Sequence, residues 1–230
     1  MSCSAVDGWD LAHADQALTE ALAAVAPRGV SVGCRTIQSG DEALLLAEER
    51  QSIQTSYLKR LKASGAVRYI ARGLLGERGI DEFPVLRAPT GEPIWPEGIV
   101  GSLAHDDDVA VAAVVSAVDF QGLGIDVEPA IPLPADIQSL VRIPTDKIGN
   151  EHTSGISDRV LFCAKEAVYK AVYPLDRVIL NYDNISVNLT KRYATTTTGR
   201  RAELVFCTSP RIVVLAFIPE AQPRALKSAK

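Results

Sequence analysis

The sequence has no surplus of positive charge. Its 28 Asp and Glu outnumber 24 Lys and Arg, giving a net charge of −4 and an isoelectric point near 5.5. That balance argues against a nucleic-acid partner held mainly through phosphates, while leaving room for a local basic pocket. Long hydrophobic runs are missing as well. Stretches such as IVVLAFI (212–218) fall far short of the ~20 residues that cross a bilayer, so no membrane association is expected. The opening MSCSAVDGWD lacks a basic n-region, which predicts no secretory leader and a cytoplasmic protein. Cys3, Cys34, Cys163 and Cys207 lie far apart without a CxxC pair and read as free thiols in a reducing compartment. Neither GxGxxG nor GxxxxGK[ST] occurs, which excludes the Rossmann and Walker phosphate loops. Ser102 lacks a GxSxG elbow and Cys163 falls beside an apolar helical stripe, so no nucleophile constellation can be argued.

What is present is ample material for a core: 230 residues, 47% hydrophobic, enough for one large domain or two small halves. Residues 8–25 read as a helix ended by Pro27–Gly29, and 30–37 as a strand. Asp41 is placed to cap a run towards Glu49. A long helix is expected from Ser56 to Leu75, then an ordered Pro/Gly-rich segment around Trp95 (88–105). Strands are expected at 99–103, 108–118 and 123–128, a short helix near 135–141, and the strongest helix over Ser157–Tyr173 with Pro174 as its stop. Three further strands, 185–190, 201–207 and 211–218, suit an antiparallel sheet, and the tail after Pro219 is expected to fray. Long helices followed by adjacent strands favour α+β over a doubly wound α/β sheet.

Three patterns carry chemistry. In GLGIDVEPA (122–130), period-2 alternation puts Gly124, Asp126 and Glu128 on one face and Ile125 and Val127 on the other. In RVLFCAKEAVYKAVYP (159–174), Val160, Ala164, Ala167, Val168 and Ala171 form an apolar stripe, while Glu166 and Lys170 are i, i+4 neighbours on another face flanked by Phe162 and Tyr169. That pair is either a simple ion pair or, with Asp126 and Glu128, the third carboxylate of an oxygen-ligated site suited to Mg²⁺ or Mn²⁺. On the earlier helix Arg60, Arg68 and Arg72 share a stripe, which is either a solvated face or a site for a multiply phosphorylated ligand.

GSLAH (101–105), GIDVEP (124–129) and FCAKEAVYK (162–170), in this order and spacing, resemble the 4′-phosphopantetheinyl transferases, in particular the larger single-chain kind serving peptide, polyketide and siderophore synthetases. PTGEPIWPEG (89–98) and the Arg-bearing helix extend the likeness over roughly residues 56–174. The resemblance implies two similar α+β halves related by a pseudo-twofold (1–118 and 119–230) with coenzyme A in the cleft between them, and a monomer. It also implies transfer of phosphopantetheine from coenzyme A to a serine of an apo carrier protein, releasing adenosine 3′,5′-bisphosphate. By motif, Asp126, Glu128 and Glu166 would bind Mg²⁺, with Mn²⁺ able to replace it, and Lys165 and Lys170 would hold phosphate oxygens. Ser102 and His105 of GSLAH would face the cofactor, His105 at its 3′-phosphate, while Arg60 and Arg68 line the nucleotide end. Glu166, or a metal-bound water near it, is the expected base. Two departures stand out: Ala104 replaces the usual hydroxyl residue before His105, and Thr90 stands where relatives often carry lysine, with Arg87 able to compensate. A non-catalytic coenzyme A-binding regulator and a Mg²⁺-dependent coenzyme A pyrophosphate hydrolase are the alternatives on the same scaffold. Carrier domains are acidic, so a basic or apolar docking patch near the cleft is expected.

Overall fold

A computed structural model describes residues 6–149 and 155–220. The Ala/Leu-rich start forms α1 (Val6–Val25), followed by β1 (Ser31–Thr36), a 3₁₀ turn (Asp41–Leu44), the short α2 (Ala47–Ser52) and the long α3 (Leu58–Gly76). Three strands follow: β2 (Ile99–His105), β3 (Val109–Ser116) and β4 (Phe120–Glu128). Then come α4 (Ala135–Val141), α5 (Ser157–Asp176), a 3₁₀ turn (Tyr182–Asn184) and β5 (Ile185–Asn188), β6 (Tyr193–Thr196), β7 (Arg201–Cys207) and β8 (Ile212–Pro219). No helix among the described residues is long and apolar enough to cross a membrane.

The strands make two antiparallel sheets, β1-β3-β2 and β4-β8-β7-β6-β5, so the fold is α+β as expected, with β4 opening the second sheet. The continuous apolar run of β3 follows from burial on both faces. Ala110, Ala112 and Val114 meet Ala66, Val67, Ala71 and Leu74 of α3. Val109, Val111, Ala113 and Val115 instead face Leu123, Ile125 and Val127 of β4 and Val213 and Leu215 of β8. The far face of the second sheet packs on Val160, Ala164, Ala167, Val168 and Ala171 of α5, the stripe read from the sequence. The layers therefore run α3, sheet, sheet, α5, with Leu18 and Leu22 of α1 at the margin of the central core.

Both faces of β4 are thus assigned, and its two glycines have a reason. A Cβ on Gly124 would stand 1.9 Å from the Ala167 carbonyl oxygen, and one on Gly122 2.5 Å from that of Ala171. Only glycine permits α5 to lie this close to the strand. Asp126 and Glu128, next along the same face, are thereby held against α5.

Three local expectations need correction. Asp41 caps no helix: it is buried, pairs with Arg35 (2.9 Å) and accepts from the Gln38 N–H (2.8 Å). Pro174 does not stop α5, which runs to Asp176 and closes at Arg177 in the left-handed region (φ 55°). A proline in the last turn removes one backbone bond and leaves the remaining packing intact. The expected C-terminal strands omit β6, inside KRYATTTTGR, where Ala194 and Thr196 point inward and Gly199 turns the chain into β7. The tail after Pro219 lies, beyond Glu220, outside the described residues.

Candidate active site

The crevice between β4 and α5 brings the motif residues together. Lys170 Nζ donates to Asp126 Oδ1 (2.7 Å) and to the Ile125 carbonyl (3.1 Å), so Lys170 pairs across elements, and the simple Glu166–Lys170 ion pair, one of the two readings, is not formed. Asp126 Oδ2 is buried and has no hydrogen-bond partner. Glu128 is held by Arg159, whose Nη1 donates to Oε2 (2.6 Å). Burial pushes the Glu128 carboxyl up, Arg159 opposes this, and the nearby Asp126 charge adds to it. Glu166 Oε1 accepts from the Tyr182 hydroxyl (2.8 Å). Burial first, and Glu166 second, push the Tyr182 phenol well above its ordinary range, with Asp126 and Glu128 close enough to contribute.

Asp126, Glu128 and Glu166 are each held by a neighbour, Lys170, Arg159 and Tyr182 in turn, and all three lie close enough to act on the Tyr182 phenol. Among the described residues no three His, Cys, Asp or Glu side chains stand at metal-holding spacing, so the arrangement is not a ready-made trio of ligands. Its chemistry still fits a hard divalent cation. The donors are all carboxylate oxygens, and one of them, Asp126 Oδ2, is desolvated with nothing to satisfy it. Asp126 and Glu166 would hold the ion, joined by Glu128 on release from Arg159.

A second feature lies where α3, the end of β2 and the 87–93 segment meet. Arg60, Arg68, Arg87 and His105 line one cavity of about 320 Å³, with no acidic side chain among its walls. Arg68 is 5% exposed; its Nε donates to the Val85 carbonyl (2.7 Å), which fixes the guanidinium, and burial lowers its pKa. Burial also pushes His105 below its ordinary value, against the opposing contact of Nδ1 with the Asp106 carbonyl (3.2 Å). Arg68 is the buried cation of the group, with Glu49 as its nearest acidic influence, while Arg60, Arg87 and His105 reach the cavity from exposed positions; such a cluster suits an anion held by charge-assisted hydrogen bonds. Arg72, the third member of the stripe, is excluded: it forms a buried bridge to Glu49 (2.5 Å) and donates to the Leu44 carbonyl (2.7 Å).

Between the two lies a larger cavity of about 460 Å³, lined by Trp95, Ser102, Tyr169, Lys170, Tyr173 and Arg177 among others. It shares Gly91, Pro93 and Leu103 with the arginine cavity and reaches Lys170, which links it to the carboxylate crevice. An ion pair between Arg177 and Glu92 spans its wall from α5 to the 88–98 segment.

One expected ligand contact is corrected, and Ser102 lines the cleft while also serving the fold. Lys165 has no exposed surface; its Nζ donates to the Val141 and Tyr182 carbonyls (2.8 and 2.9 Å) and pairs with Asp146 (2.9 Å), so as placed it cannot hold a phosphate. Ser102 Oγ, 4% exposed, accepts from the Ile125 N–H (3.0 Å) and ties β2 to the metal-motif strand. Tyr182 and Arg159 went unread. Arg159 lies seven residues before Glu166, two turns along the same helix face, a spacing that could have flagged it. Tyr182 comes from a turn beyond the helix and leaves no periodic signal.

Comparison with known proteins agrees with this architecture. Residues 48–115 match the family model for the 4′-phosphopantetheinyl transferase N-terminal domain, and residues 122–214 match that for the 4′-phosphopantetheinyl transferase superfamily. The chain belongs to this superfamily. Among characterised relatives, it is 39% identical over 148 residues to the 4′-phosphopantetheinyl transferase Svp of Streptomyces mobaraensis, covering 61% of this chain and 59% of that one. It is 36% identical over 145 residues to PptT of Mycobacterium tuberculosis (62% and 64% covered) and 37% identical over 141 residues to Npt of Nocardia iowensis (60% and 64%), both also named as 4′-phosphopantetheinyl transferases. The alignments span about three fifths of the length of each relative.

Proposed function

We propose that the protein transfers the 4′-phosphopantetheine group of coenzyme A to a serine hydroxyl of an apo carrier protein. The observation that carries this reading is the acid-free arginine cavity joined through a cleft to the Lys170–Asp126 crevice. A cluster of three guanidiniums and an imidazole suits the dense phosphate end of coenzyme A, and the adjoining cleft of about 460 Å³ suits its arm.

The serine oxygen attacks the phosphorus bearing the pantetheine arm, a new P–O bond forms, and the bridging P–O bond breaks to leave adenosine 3′,5′-bisphosphate. In this reading Glu166 receives the serine proton. Lys170, already fixed by the Ile125 carbonyl, neutralises charge on the departing phosphate. Mg²⁺, with Mn²⁺ as a substitute, supplies further neutralisation of the pyrophosphate when bound. Since the partner brings the hydroxyl, no serine or cysteine nucleophile is needed in this chain. Both walls of the cleft come from one chain, which favours a monomer.

The test is to incubate the protein with coenzyme A, Mg²⁺ and an apo carrier protein and follow the carrier's mass. Gain of one phosphopantetheine supports transfer. Cleavage of coenzyme A without carrier would instead identify a hydrolase, and binding without turnover a regulator.

A further inference from the structure

Lys165 and Glu166 are consecutive on α5, so their side chains leave the helix about 100° apart. Both nevertheless touch the same residue. Lys165 Nζ donates to the Tyr182 carbonyl (2.9 Å), and the Tyr182 hydroxyl donates to Glu166 Oε1 (2.8 Å). Tyr182 sits in the single 3₁₀ turn between α5 and β5, and its ring leans on Phe162 (centroids 5.9 Å apart).

The lysine end of this arrangement is rigid. A wholly buried ammonium is tolerable only if its three N–H donors are all satisfied, and Lys165 has three oxygen partners: the Val141 and Tyr182 carbonyls and Asp146 Oδ2. Asp146 in turn accepts the backbone N–H groups of Ile143 (3.0 Å) and Val187 (2.9 Å). One buried ion pair therefore pins the 141–146 turn, the edge strand β5 of the second sheet and the Tyr182 turn to α5. What emerges from that knot is a single phenolic hydroxyl aimed at Glu166.

The geometry points to Tyr182 as the positioning residue of Glu166, with Lys165 acting through it and not on phosphate. This rests on the proposed role of Glu166 as a cation-holding carboxylate. With Oε1 fixed by the phenol, the carboxylate is oriented before the ion arrives. Hydrogen-bond partners of metal-holding carboxylates commonly change metal affinity or activity by about 10–100-fold when removed.

The experiment titrates Mn²⁺ into the protein saturated with coenzyme A, without carrier, and reads free Mn²⁺ by electron paramagnetic resonance; transfer kinetics are measured alongside. Tyr182→Phe removes only the hydroxyl. It is expected to weaken Mn²⁺ binding and lower kcat, each about tenfold, with KM for coenzyme A near wild type. Lys165→Met is expected to show the same split; should it fail to fold with Asp146 left unpaired, Lys165→Met/Asp146→Leu removes both charges and is read in the same way. Wild-type Mn²⁺ affinity and kcat in Tyr182→Phe would overturn the positioning role alone. A rise in KM for coenzyme A with unchanged Mn²⁺ affinity in the lysine variants would return Lys165 to the phosphates. A wild-type protein that transfers phosphopantetheine yet binds no Mn²⁺ would overturn both this inference and the cation role beneath it.

Discussion

Gly124→Ala tests whether close packing of β4 on α5 sets the site. The added Cβ would lie 1.9 Å from the Ala167 carbonyl oxygen, 2.8 Å from the Ala171 nitrogen and 2.9 Å from the Ala167 carbonyl carbon. A carbon needs about 3.3 Å from a carbonyl oxygen, so helix and strand must part by roughly 1.4 Å. Every obstructing atom is backbone, which cannot rotate away as a side chain would. The cost therefore falls at the upper end of overpacking, about 3 kcal/mol. For a chain of this size that is about 6–12 °C in Tm. The same displacement moves Asp126 away from Lys170 and Glu166, and a shift of about 1 Å at a reacting centre can cost ~100-fold in rate. The assay pairs thermal unfolding by circular dichroism with the initial rate of phosphopantetheine transfer at saturating coenzyme A. Gly73→Ala is the control: it lies on the exposed side of α3, where an added Cβ meets nothing within 4 Å, and alanine there should hold or slightly raise Tm. A Gly124→Ala protein with wild-type Tm and rate would refute the claim that this contact mounts the carboxylates.

Other expectations follow from charge. Arg60→Ala and Arg87→Ala should each raise KM for coenzyme A about tenfold or more, with kcat changed far less, because charge-assisted phosphate contacts are worth ~1.5–3 kcal/mol; steady-state kinetics in coenzyme A check this. Burial holds the His105 pKa below 6.5 in the free protein, and a bound phosphate should raise it, so binding takes up protons as pH falls towards that value. Calorimetry of adenosine 3′,5′-bisphosphate in buffers of different ionisation heat should show less uptake for His105→Gln than for wild type. The folded-state pKa of Glu128 is raised above 4.5, so its share of stability is present below 4.5 and lost as pH rises through the folded value. Arg159→Met removes the opposing cation and should deepen that loss, making the variant's urea stability deficit larger at pH 8 than at pH 4.5.

How much was legible depends on how local each signal was. The faces of β4 and α5 follow period-2 and period-3.6 patterns, and the structure buries Ile125, Val127, Val160, Ala164 and Ala171 as read. The alternation in GLGIDVEPA marked the strand, yet nothing in the sequence says that the Ala167 carbonyl oxygen lies 1.9 Å from where a side chain on Gly124 would begin. Motif spacing brought Arg60, Arg68, Arg87 and His105 forward, and all four line one cavity. What failed were partnerships between residues distant in sequence. Arg72 shares a stripe with Arg68 but is claimed by Glu49, 23 positions away, and Lys165 is claimed by Asp146 and the Tyr182 carbonyl. A helical projection says which way a side chain leaves its helix; the partner it meets is set by tertiary packing.

The hydrogen bonds of Lys170 also constrain how it can act. An ammonium has three donors, and two of these already go to the Ile125 carbonyl and Asp126 Oδ1. The carbonyl contact fixes the nitrogen's position independently of Asp126, since Ile125 is anchored in the central core. Lys170 can therefore offer its third donor to a phosphate oxygen without leaving Asp126, whose Oδ2 has no hydrogen-bond partner. One lysine thus serves two ends of the site: it orients a carboxylate and presents a positive charge to the cleft. An arginine in its place would preserve the charge but could not meet both oxygens from one nitrogen at this depth. Lys170→Arg should consequently lose transfer activity nearly as fully as Lys170→Met, and substantial activity in the arginine variant would show that charge alone suffices.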